Sequence, residues 1–139
     1  MEMAVALALL GDGHVSLSNS QRNIMSVKHI NCGARMSDIV VHNGIAYLSG
    51  KVPTDFSASL VEQTKDVLAT IDKLLTQAGS DKSRILRAEI FLKDIKQWAE
   101  MNTVWDAWVA PGATPARATV EANMAHPGCL IEIMVTAAV

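Results

Sequence analysis

Apolar residues recur along this chain with two different periods. Leu60, Val67, Leu68, Ile71, Leu74, Leu75 and Ala78 follow at three- and four-residue steps, with Thr64 on the same stripe. That spacing predicts a helix over about 59–78 with one buried face. Gly79 is its C-terminal stop. A second helix is expected over about 96–109, with Trp98, Met101, Trp105 and Trp108 or Val109 along one stripe and Pro111-Gly112 as the break. Elsewhere the period shortens towards two. Residues 26–31 alternate weakly, and 38–50 contains two β-rich runs around Asn43-Gly44, a hairpin signal. Pro53 closes that pair. Residues 85–92, 116–123 and 129–138 complete the strands. The order β-β-β-α-β-α-β-β predicts an α+β domain, one sheet with both helices on one face. The other sheet face must then meet solvent or another subunit.

Composition narrows the function classes. The 139 residues suit one domain with a core of its own, half of them hydrophobic and 19% charged. A net charge of −2 with scattered Lys and Arg offers no footprint for nucleic acid. Cys32 and Cys129 form no disulfide framework and lack zinc-ligand spacing, so both are expected to serve packing. His14, His29, His42 and His126 have neither metal-ligand nor triad spacing. No apolar run reaches the ~18 residues of a membrane span. The stretch from Met3 to Leu10 is short and follows acidic Glu2, where a secretory signal carries Lys or Arg. A cytoplasmic protein is therefore expected, with 1–25 as an N-terminal extension and 26–139 as the domain.

Two charges stand in otherwise apolar strands: Arg117 in TPARATVEAN and Glu132 in CLIEIMVTAAV. Each needs a partner or a ligand to offset its desolvation. Alternation puts Ala116, Ala118, Val120 and Ala122 on one face, expected under the helices, and Arg117 and Thr119 on the other. If the last two strands form a hairpin, a register with Thr119 opposite Glu132 groups a cation, a hydroxyl and a carboxylate. An even-sum register separates them. Arg117 and Glu132 then read either as a structural ion pair, within or between subunits, or as a carboxylate-binding fork beside a water-directing base.

Several segments together resemble one family: LSGKVP (48–53), the helix closing at Gly79, AEIFLKD (88–94), MN (101–102), PARATVEA (115–122) and IEIMVTAA (131–138). They resemble the RidA (YjgF) family of enamine/imine deaminases. SDIVVHN (37–43) and MNTVWDAWV (101–109) are most similar to its YoaB-like branch. The resemblance implies a chorismate-mutase-like fold and a homotrimer with clefts between subunits. It also implies cofactor-free hydrolysis of 2-enamine and 2-imine acids, such as 2-aminoacrylate and 2-iminobutyrate, to 2-keto acids and ammonia. The family's carboxylate-gripping arginine falls on Arg117 and its water-directing glutamate on Glu132. Its cleft-lining serine-glycine pair falls on Ser49 and Gly50, and its helix asparagine on Asn102. Thr119 stands where the best-known branch has cysteine, and Met36 where it has tyrosine, which makes Met36 a position bearing on substrate preference. The same resemblance brings competing readings: a non-catalytic trimer binding small carboxylates, and an endoribonuclease or translation inhibitor.

Overall fold

The computed structural model describes the backbone of residues 9–10 and 14–139, and the side chains of 16–22 and 26–139. Expectations for residues 3–8 and for the His14 side chain lie outside the described residues. Ahead of the expected domain, β1 (Leu9–Leu10) pairs with β2 (His14–Val15), and α1 (Asn19–Met25) starts at a capping box formed by Ser18 and Gln21.

The rest follows the expected order: β3 (Lys28–Cys32), β4 (Ser37–His42), β5 (Ile45–Leu48), α2 (Leu60–Gln77), β6 (Ile85–Leu92), α3 (Trp98–Trp108), β7 (Ala116–Glu121) and β8 (Ile131–Ala138). Asn43 and Gly44 both have positive φ, 51° and 76°, the geometry of a two-residue hairpin turn between β4 and β5. Ser59 caps α2, its hydroxyl accepting from the Glu62 amide. At the other end Gly79, at φ 80°, donates to Thr76 while Ser80 donates to Leu75, so orphan carbonyls of the last turn find partners.

One six-stranded sheet runs in the order β3-β4-β5-β8-β6-β7, antiparallel throughout except β6-β7. Leu68, Ile71 and Leu75 of α2 share a core with Met101 and Trp105 of α3 and with Ile90, Ile131, Ile133 and Val135 of the sheet. Two details differ from expectation in this core. Trp98 is 53% exposed rather than part of the buried stripe, and Cys32 is exposed on an edge strand, whereas Cys129 is buried.

The larger correction concerns the last two strands, which are not a hairpin. β7 pairs in parallel with β6, reached by the α3 crossover, while β8 inserts between β5 and β6. Hairpin loops are short, roughly 2–5 residues, and the nine residues 122–130 between Glu121 and Ile131 are enough to carry the chain over β6 instead. Burial explains the choice: β8 buries Ile131, Ile133, Val135 and Ala137 on one face and belongs in the centre, whereas no residue of β7 is fully buried.

Candidate functional site

The parallel register sets Arg117 beside Ala88, Thr119 beside Ile90 and Glu121 beside Leu92, all on the core side of β6. Arg117 therefore lies on the helix side of the sheet, the reverse of the expected orientation. Ala116, Ala118 and Val120 take the open side instead. An edge strand permits this, because its helix-side residues reach past the core towards α3. Arg117 Nη1 donates to Asn102 Oδ1 at 2.8 Å, and its guanidinium carbon lies 5.2 Å from the centre of the Trp105 ring. The Glu121 carboxylate accepts instead from the Ile95 amide at 3.2 Å. Among the described residues no carboxylate lies within salt-bridge distance of Arg117. Beside it the Thr119 hydroxyl is buried without a hydrogen-bond partner, an uncompensated cost unless a ligand or water meets it.

Glu132 occupies a second place. It pairs with Phe91, which pairs with Val120, all on the open side of the sheet. Two strand spacings, about 10 Å, separate Glu132 from β7, and the sheet lies between its carboxylate and Arg117. The expected grouping of Arg117, Thr119 and Glu132 within one chain is thus not formed, and neither is an intrachain ion pair.

Ser49 and Gly50 belong to the Glu132 half. Beyond β5 the chain makes a further bridge, Lys51 with Ile133. Four steps from Tyr47 to Lys51 oppose three from Thr136 to Ile133, so a bulge falls at Ser49-Gly50. The Glu132 carboxylate packs directly on this bulge: a Cβ built on Gly50 would stand 2.1 Å from Glu132 Oε1. Only glycine permits that approach. Phe91, Ala122, Asn123, Met124 and Met134 complete a pocket of about 280 Å³ around the carboxylate. The Ser49 amide donates to the Asp38 carbonyl at 2.9 Å. Next in sequence, the Lys51 ammonium is bound to the Asp38 carboxylate, so it serves structure rather than anion capture. That ammonium, with a second hydrogen bond from Asn31, holds the Asp38 carboxyl below its ordinary value. Met36, at the tyrosine position, is 53% exposed on the β3-β4 connection.

Two contributors escape a sequence reading. Trp105 supports Arg117 rather than serving the core alone, and Gln63 governs the loop beside Glu132. Gln63 is buried; it donates to the carbonyls of Ala58 and Gly128 and accepts from the Leu130 amide at 2.8 Å. The signal was present, since a glutamine three residues from Leu60 falls on the apolar stripe. His126 reinforces the same loop, accepting at Nδ1 from the Gly128 amide and stacking on Phe56 at 4.0 Å. A larger cavity, about 510 Å³, opens between α2 and α3 and is lined in part by Ala69, Ala107 and Trp108, but by none of Arg117, Asn102, Thr119, Glu132, Ser49 and Gly50.

The family model described as endoribonuclease L-PSP matches residues 27–139. The chain belongs to the RidA (YjgF) family. It is 46% identical to the RutC family protein YoaB of Escherichia coli over 115 residues, 83% of this chain and all of that one. A RutC family protein of Haemophilus ducreyi is 45% identical over 81% of this chain and 97% of its own length. Among solved structures, a YjgF-family protein of Neisseria meningitidis superposes with a TM-score of 0.80 at 49% identity, covering 83% of this chain and 96% of its own. The mixed six-stranded sheet with its helices is thus the RidA-family fold, and the YoaB match agrees with the branch suggested by residues 37–43 and 101–109.

Proposed function

We propose that this RidA-family chain hydrolyses 2-enamine and 2-imine acids, such as 2-aminoacrylate and 2-iminobutyrate, to 2-keto acids and ammonia without a cofactor. The observation that carries the reading is a division of labour. An arginine that has no carboxylate partner among the described residues faces one side of the sheet, and a carboxylate seated on a glycine bulge faces the other. A homotrimer completes the site by bringing the Arg117 half of one subunit to the Glu132 half of its neighbour. Tyr47, Leu86, Val120 and Met134 are large apolar residues exposed on the strands, with Tyr47, Val120 and Met134 on the side away from the helices, a surface suited to such contacts.

In this mechanism the free edge of the Arg117 fork binds the substrate carboxylate by paired hydrogen bonds and so orients the C=N carbon. Asn102 holds the fork, and the Thr119 hydroxyl gains its missing partner from the ligand. The enamine first tautomerises to the imine. Glu132 then directs a water to the imine carbon and takes one of its protons; the C–O bond forms as the C=N electron pair moves to nitrogen, which receives that proton from Glu132. The resulting carbinolamine re-forms a carbonyl and expels ammonia. Ser49 and Gly50 line the wall next to Glu132.

A nuclease reading follows from the family model's description, but the net charge of −2 and scattered cations give no track for phosphates. A trimer that binds 2-keto acids without turnover needs Arg117 alone. Hydrolysis of freshly generated 2-iminobutyrate, with semicarbazide as competing trap, separates these outcomes. Acceleration by the parent protein and its loss in Arg117→Ala supports the deaminase. Binding of 2-oxobutyrate without acceleration replaces it with the binding trimer.

A further inference from the structure

We infer that Trp105 is a positioning residue for Arg117, its indole face fixing the guanidinium so that the fork is formed before an anion arrives. The inference rests on the reading of Arg117 as the carboxylate clamp. Trp105 is 5% exposed and cannot itself reach far into an open cleft, yet one ring face carries the guanidinium at 5.2 Å. Asn102 and Trp105 lie three residues apart on α3, so both present to the same side, and together they hold Arg117 from below and from one edge. Trp108 packs against Trp105 at 5.3 Å, and its own indole N–H is anchored on Asp72 at 2.9 Å, which restrains the shelf in turn.

The chemistry of these partners is the point. An amide oxygen and a π face orient a cation without neutralising it. Glu121, on the same helix side of β7, is turned to the Ile95 amide. Arg117 is thereby ordered and still uncompensated, the state a carboxylate clamp needs. An arginine free to rotate on an edge strand would lose conformational entropy with each binding event.

The test compares Trp105→Leu with Trp105→Phe, both of which keep an apolar side chain in the core; leucine leaves the larger gap, and the neutral analogue reports any loss that packing alone causes. Binding of 2-oxobutyrate is measured by calorimetry, beside its neutral amide analogue, together with kcat and KM for 2-iminobutyrate. Leucine is expected to weaken 2-oxobutyrate binding about 10-fold and phenylalanine by no more than about 3-fold, the difference being loss or retention of the π face. The amide's affinity stays unchanged, and the loss of activity appears in KM, with kcat near that of the parent. Equal weakening by leucine and phenylalanine, or a parallel fall for the amide, overturns the inference and leaves Trp105 a packing residue. If Arg117→Ala binds 2-oxobutyrate as tightly as the parent, the clamp reading itself fails, and the inference with it.

Discussion

One added methyl group at residue 50 meets the Glu132 carboxylate, with the built Cβ 2.1 Å from Oε1. Gly50 does not carry a positive φ, so alanine brings no backbone penalty and the cost falls on the carboxylate's position. Gly50→Ala is therefore expected to lower kcat/KM for 2-iminobutyrate by about 10- to 100-fold, the scale of an ångström-sized misplacement. Its thermal midpoint should stay within a few degrees of the parent's, which steady-state kinetics and calorimetry check together. Asp38 makes a different prediction. Its native carboxyl is held below the ordinary value of 3.8 by the hydrogen bond from Lys51 and then that from Asn31. A depressed carboxylate stabilises the fold fully above the unfolded value, and the stabilisation disappears as pH falls through the native one. The stability gap between the parent and Asp38→Asn should thus be open at pH 7 and narrow below about pH 4, read from urea unfolding at each pH. At this scale the sequence was most legible where chemistry is local. The unusual charges Arg117 and Glu132 stood out, but the partners that orient them, Trp105 and Gly50, are made by folding.

Elements were legible wherever period and punctuation agreed. The stripe from Leu60 to Ala78 and the Gly79 stop predict α2 to within a residue, because each is a property of neighbours in sequence. Strand order was not. Alternation in 116–121 is the same whether its partner is β6 or β8, and only the competition for the buried central place decides. That competition also reversed the face of Arg117. The loop that makes the crossing possible depends on Gln63, two of whose three hydrogen bonds join α2 to residues 128–130, the third going to the Ala58 carbonyl. Gln63→Leu leaves the Leu130 amide and the Gly128 carbonyl without that partner. We expect a loss of about 2–4 kcal/mol in urea unfolding, with faster amide exchange over residues 123–130. Unchanged exchange there would mean that Phe56 and His126 alone hold the loop.

For the whole molecule, the helix-covered face and the open face impose different requirements. The open face exposes Val120 and Met134 on adjoining parts of the sheet, near the Glu132 pocket. In the proposed trimer that surface is covered, so Met134→Lys is expected to shift sedimentation towards monomers and to abolish imine hydrolysis while the fold persists. Among the described residues no helix is long and apolar enough to cross a membrane. The central claim is that Arg117 and Glu132 act on one substrate from different subunits. It is tested most directly by unfolding and refolding Arg117→Ala with Glu132→Gln in equal amounts and following 2-iminobutyrate hydrolysis. Each variant alone should be inactive, and the mixture should recover about one quarter of the parent's activity, the fraction of interfaces that draw both native residues under random assembly. A mixture as silent as its components, with mixed oligomers demonstrated, would contradict the shared site.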